Sequence, residues 1–318
     1  MANFTLKVTR LGFSLLQSVS PRIAGKVAFR LFCVTPSSKP KGEKAKRAHA
    51  AGVAKLADAE RFRLRLAGGG LAHAYRLNGG ALGRRRRYLV THGWGSSSAY
   101  MADLATTLAA TGAEVIAVDF PGHGCAAGRA LHMGMAVKAI AAAEARFGAF
   151  DAAIGHSFGG AALIVAAAGL LPGVPAVLPQ KLVLIGSPSE MHWLFKGFGK
   201  LIGLGWPAQH VFENEVRRVT GRRVEEFDAS RTAGSIQRPV LIVHAEDDKE
   251  VSADHARRYA AAGDEVRLHW ANGFGHRRIV AALPVLDTIT GFLGEVTSDK
   301  DAAEIIPLSN LPARRMSL

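Results

Sequence analysis

From Arg61 onward the chain alternates short continuous apolar runs with longer segments whose apolar residues recur at helical spacing. "RFRLRLA" (61–67) alternates polar and apolar positions, and a glycine-rich turn leads to "LAHAYRL" (71–77), the pattern of an antiparallel hairpin at a sheet edge. The runs "RRYLVTHG" (86–93), "AEVIAVDFPG" (113–122), "FDAAIGHS" (150–157), "QKLVLIGSP" (180–188), "RPVLIVHAEDD" (238–248) and "DEVRLHWANGFGH" (264–276) read as further strands. Helices are predicted over 99–111, 135–148, 159–169, 252–262 and 278–294. Buried strands alternating with helices imply a mostly parallel sheet covered on both faces, an α/β fold. In such sheets a ligand binds beyond the carboxyl ends of the strands. Four of those ends carry polar clusters, "THGWG", "DFPGHG", "GHSFGG" and "HAEDD", and "GFGH" follows the last run.

Residues 189–238 break this rhythm and bring in Trp193, Phe195, Phe198 and Trp206. The first sixty residues differ again. Two short amphipathic basic helices are expected over 4–19 and 22–33, a solvated linker over 35–47, "TPSSKPKGEKAKR", and a helix after it. The expected organisation is therefore a basic N-terminal region (1–60), an α/β core (61–188 and 239–295), an insertion (189–238) and a flexible polar tail (296–318).

Charge changes the picture only locally. The net charge of +14 falls unevenly, because residues 1–50 hold ten Lys/Arg and one acid, and Arg84–Arg87 form a run that reads as a solvated loop. The basicity thus belongs to an arm and one loop, and with no nucleic-acid-binding motif the sequence argues against a nucleic-acid partner. No apolar stretch reaches the ~18 residues of a membrane span. The first helices, with Pro21 between them and no small-residue cleavage site, read as part of the fold and not as a leader. Two roles stay open for them: docking on the body, or peripheral contact of residues 1–50 with a membrane surface. Two cysteines, Cys33 and Cys125, give no disulfide framework and no metal-ligand spacing, which points to a reducing, cytoplasmic setting with no metal.

The chemistry gathers around "AIGHSFGGA" (153–161). A strand that stops at His156 and a helix that starts at once force Ser157 into a sharp turn, where only tiny residues fit two positions before and after it. Gly155 and Gly159 supply them. Such a turn exposes a nucleophile beside the unpaired N–H groups of a helix N-terminus. A serine needs a base, and the base an orienter. His276 lies in a loop after the last strand, and the acids of "HAEDD" follow an earlier one, giving the chain order Ser, acid, His.

With these motifs the sequence resembles the α/β-hydrolase superfamily over about 64–294, through "HGWG" (92–95), "DFPGHG" (119–124), "GHSFGG" (155–160), "AEDDKEV" (245–251) and "GH" (275–276). The resemblance implies the α/β-hydrolase fold, with 189–238 as a helical cap. It implies a catalytic set of Ser157, Asp248 and His276, with the acid picked out by Ala245, Asp248 and Val251, although Ala245 stands where glycine is usual. Glu190 is the alternative acid. The backbone N–H groups of Trp94 and Phe158 take the oxyanion position, while His92, His123, Asp119 and His156 read as structural. Trp193, Phe195, Phe198 and Trp206 either pack or roof an acyl pocket. The implied reaction is cleavage of a small-molecule carboxylic ester or thioester through an acyl-enzyme, with no cofactor. A serine nucleophile argues against dehalogenase or epoxide-hydrolase chemistry. Acyl transfer, amide hydrolysis and a binding protein without turnover remain the alternatives, and the oligomeric state is open.

Overall fold

The computed structural model describes residues 2–37, 39–78 and 85–295. Arg84 and the expected flexible tail, 296–318, lie outside them. Among the described residues eight strands form one sheet: β1 (Glu60–Arg65), β2 (Leu71–Leu77), β3 (Arg87–Thr91), β4 (Glu114–Asp119), β5 (Ala152–His156), β6 (Lys181–Ile185), β7 (Val240–His244) and β8 (Val266–Trp270). Their order is β1-β2-β4-β3-β5-β6-β7-β8. The expected hairpin is the β1–β2 pair; β2 also runs antiparallel to β4, and every other pairing is parallel.

The helices in chain order are α1 (Ala2–Val19), α2 (Pro21–Phe32), α3 (Glu43–Lys55), α4 (Ala102–Ala110), α5 (Met133–Phe147), α6 (Phe158–Ala167), α7 (His192–Ile202), α8 (Trp206–Thr220), α9 (Ala229–Ala233), α10 (Ala253–Ala260), α11 (Gly275–Arg278) and α12 (Leu283–Gly294). Strands β4, β5, β6 and β7 are buried at every residue, as a parallel sheet sandwiched between helices requires. The two-residue strand period divides their side chains between two cores. Val115, Ala117, Leu241 and Val243 pack with α4 and α12, whereas Ile116, Val118, Val240 and Ile242 face the layer of α5, α6 and α10.

Several expectations need correction. The run expected as one helix over 278–294 is broken, because Pro284 lacks an N–H and fits only the first turn of α12; a separate short helix, α11, carries His276. The stretch expected as a linker begins α3 at Glu43, where a run of alanines and lysines outweighs the preceding Pro and Ser signals. Its first residue is pinned too, Thr35 N–H donating to the Arg129 carbonyl at 3.1 Å. The arginine run is not a free loop. Arg86 donates to the Leu293 carbonyl at 2.7 Å, Arg87 pairs with Glu114, and its N–H donates to Asp151.

The inner faces of α1 and α2 dock on the body. Ala24, Ala28 and Phe29 of α2 are buried, with the small residues allowing close approach to α8. Phe13 of α1 is buried, and Gln17 spans the α7–α8 turn, donating to the Gly203 carbonyl at 3.0 Å and accepting from Gly205 N–H at 2.8 Å. Between β6 and β7, residues 189–238 form α7, α8, a 3-10 turn over Val224–Glu226 and α9.

Candidate active site

Ser157 stands between β5 and α6 with φ 52° and ψ −123°, left-handed backbone that an L-residue adopts only under constraint. The constraint is visible. Its N–H is held by the Ile185 carbonyl at 2.8 Å. A Cβ on Gly155 would lie 2.6 Å from Gly160 Cα, and one on Gly159 would lie 2.5 Å from the His92 carbonyl oxygen. The elbow exists because those two positions have no side chain.

His276 enters from α11, beyond β8, and its Nδ1 donates to Asp248 Oδ2 at 2.7 Å. The Asp248 side chain is 1% exposed. Its Oδ1 accepts two more bonds, from the N–H groups of Glu250 at 2.8 Å and Val251 at 2.9 Å. Burial pushes the Asp248 pKa up, but the bonds from His276, Val251 and Glu250 together outweigh it and hold the carboxyl below its usual range. With Nδ1 committed to the carboxylate, Nε2 is the imidazole's remaining nitrogen, and His276 lines the same cavity as Ser157.

The neighbouring acids are occupied elsewhere. Asp247 accepts Gly273 N–H, Glu246 meets Arg257 and Asn272, and Glu190 accepts His192 N–H at 2.7 Å beside Arg258. The structure thus brings Asp248, and not Glu190, to the imidazole.

Phe158 is the first residue of α6, so its N–H has no acceptor within the helix. Trp94 belongs to the loop after β3, with its ring edge-on to those of Phe158 and His123. Neutral histidines shape this loop. His92 is fully buried, and burial lowers its pKa; Nε2 accepts from Phe120 N–H, which leaves Nδ1 to donate to the Gly93 carbonyl at 2.7 Å. Burial likewise lowers His123 to about 4, so its Nε2 can accept from Gly95 N–H at 3.0 Å. Asp119 accepts the N–H groups of Ser98 and Cys125.

Two residues near the site were given no role in it from the sequence. His156, read only as packing, bonds through Nε2 to the His276 carbonyl at 2.8 Å, and burial lowers its pKa to about 3, so it is a neutral donor there. Gly186 lies under the pair, where a Cβ would come 3.3 Å from His276 Nδ1 and 3.4 Å from Asp248 Oδ2. Its signal was the "GSP" that ends the β6 run.

The cavity above Ser157 measures about 1640 Å³. Trp193, Phe195 and Phe198 of α7 line it, together with Phe29 and Phe32 of α2. The Phe32 ring lies 4.6 Å from Phe195 and 5.2 Å from Phe198, centroid to centroid. Trp206, expected with them, does not join: it is 78% exposed and stacks on His210. Lys41, Lys44 and Ala48, from the stretch expected as a linker and the helix after it, line the other side. One cluster among the described residues, His192, Glu213 and Glu225, brings three ligand atoms within 4.8 Å of one another, but none of the three lines the cavity.

Residues 88–286 match the alpha/beta hydrolase family, and the chain belongs to it. No curated protein matches the chain in sequence. Among solved structures, the esterase Pf2001 of Pyrococcus furiosus is similar at a TM-score of 0.57 and 15% identity, over 82% of this chain and 95% of that one. Est1E of Butyrivibrio proteoclasticus, solved with ferulic acid bound, gives 0.56 and 20%, over 73% and 96%. The carboxylesterase CesB of Bacillus subtilis gives 0.55 and 15%, over 79% and 97%. At these identities the likeness is one of fold.

Proposed function

We propose that this member of the alpha/beta hydrolase family is a serine hydrolase that cleaves a carboxylic ester or thioester with an apolar acyl group. One observation carries the reading: Ser157, on a strained elbow, shares a cavity with His276, whose Nδ1 is held by the buried Asp248 carboxylate. In the mechanism, His276 Nε2 takes the proton as Ser157 Oγ attacks the carbonyl carbon. The developing oxyanion meets the N–H groups of Phe158 and Trp94, and Asp248 steadies the imidazolium. His276 then protonates the departing alcohol or thiol, leaving an acyl-serine. Water, deprotonated by the same imidazole, releases the acid and restores the hydroxyl.

The cavity supports the choice of acyl group. Small-ligand pockets are usually about 300–1,000 Å³; this one is larger, and aromatic rings from α2 and α7 wall it.

The test is a chain-length series of p-nitrophenyl esters beside acyl-CoA thioesters, with Ser157→Ala as control. Turnover should rise from short to long acyl chains and vanish in the variant. A profile confined to the shortest acyl groups would remove the apolar-pocket reading, and undiminished turnover by Ser157→Ala would remove the nucleophile.

A further inference from the structure

The docked N-terminal helices leave an outer face exposed among the described residues. Of the sixteen large apolar side chains exposed among the described residues, nine fall within residues 4–34. Scattered single exposures are ordinary, whereas a concentrated set marks an interaction surface. The set is ordered. In α1, Phe4, Val8, Leu11, Leu15 and Val19 recur every three or four residues, on the side opposite the buried Phe13. In α2, Ile23, Val27 and Leu31 do the same, opposite the residues that pack on α8.

Charge selects the occupant. Lys7, Arg10, Arg22, Lys26 and Arg30 belong to these two helices, and neither contains an Asp or Glu. An apolar stripe edged only by cations suits an anionic lipid surface, where the apolar face sinks into the headgroup boundary and the cations meet lipid phosphates. Trp206 extends the surface. It is 78% exposed and adjoins Gly205, which Gln17 of α1 holds, and tryptophan favours the membrane–water boundary. No described helix is long and apolar enough to cross a membrane, so the geometry is that of lying on one.

We propose that the outer face of α1 and α2 docks the protein on anionic bilayers and turns the mouth of the cavity toward the lipid. Leu31 makes the connection: it is 42% exposed on the stripe and also lines the cavity that holds Ser157. The membrane then supplies the acyl substrate directly. This last step rests on the ester-hydrolase reading, while the docking itself does not.

The experiment is co-sedimentation of the full-length protein with vesicles of phosphatidylcholine alone or mixed with phosphatidylglycerol, for the parent chain, Ser157→Ala and a double variant, Leu11→Asp with Leu15→Asp. The two leucines are exposed and do not line the cavity. The parent and Ser157→Ala should bind the anionic vesicles, less strongly at high salt, and the double variant should bind at least about tenfold more weakly with an unchanged melting temperature. Turnover of a long-chain ester embedded in those vesicles should fall with binding, while a soluble short ester is cleaved at the parental rate. Equal binding by parent and double variant overturns the docking. So does a parent that ignores vesicles but forms a dimer that the double variant breaks, because a second copy then covers the face. Vesicle binding without turnover of any ester or thioester leaves the docking standing and sinks the hydrolase reading.

Discussion

At the scale of single residues, the proposed mechanism has Asp248 work through the proton it keeps on His276 Nδ1. Asp248→Asn offers an amide in place of the carboxylate, favours the wrong tautomer and withdraws the charge that stabilises imidazolium. It should lower kcat by about 10⁴-fold with little change in KM. The variant is measured on a soluble ester that the parent turns over. A loss of less than about tenfold would show that the carboxylate is not the orienting group, and Glu190→Gln, remote from the imidazole, should leave kcat intact. His156 is a positioning residue of another kind. It holds the backbone of His276 and not its ring nitrogens, and burial keeps it neutral.

At the scale of elements, the places where the chain comes closest are those where a side chain is missing. Gly52 in α3 presses on the 3-10 turn over Ser98–Met101, and an added Cβ would collide with the Ala99 carbonyl oxygen. Gly12 in α1 has open space around it. Gly52→Ala should therefore destabilise the fold by about 1–3 kcal/mol despite alanine's better helix propensity, whereas Gly12→Ala should stabilise it by up to about 1 kcal/mol. Chemical denaturation of the two variants checks the pair, and equal shifts of the same sign would contradict the packing of α3.

The same contrast shows how far the sequence could be read. The strands and the elbow were legible because their signals are local: apolar runs of strand length, and glycines at fixed offsets from Ser157. The pairing of His276 with Asp248 was legible through chain order and the family motif. What stayed hidden depends on distant partners. Nothing within "EKAKRAHA" says that α3 will wall the cavity, because that follows from where Gly52 and Ala99 meet in space. Phe32 likewise gives no hint of Phe195, and the expected grouping of Trp206 with the pocket aromatics rested on nearness in sequence alone. Once Gly205 and Pro207 place Trp206 at the first turn of α8, its ring points outward.

At the scale of the whole molecule, buried neutral imidazoles set the response to acid. Burial is the largest influence on His92, His123, His132, His156, His244 and His255 and lowers each below the ordinary 6.5, to about 4 for His123 and His132 and about 3 for His156. Between those folded-state values and 6.5 the unfolded chain binds more protons than the folded one. Their contribution to stability is therefore complete above pH 6.5 and drains away as pH falls toward 4 and then 3. Asp248, with its depressed pKa, adds a loss of the same sign, beginning below the unfolded carboxylate's pKa and continuing as pH falls through the folded one. The melting temperature should drop steadily from about pH 7 to about pH 5, with net proton uptake on unfolding in calorimetry. A flat profile across that window would mean that these histidines are solvated in the folded state.

All of this converges on whether the Ser157 hydroxyl is a nucleophile. The most direct measurement is the intact mass and peptide map of the protein after exposure to a fluorophosphonate. One adduct is expected, located on the peptide that spans β5 and α6, absent in Ser157→Ala and slowed by orders of magnitude in His276→Ala. An unmodified parent chain, or an adduct that persists when Ser157 is replaced, would contradict it.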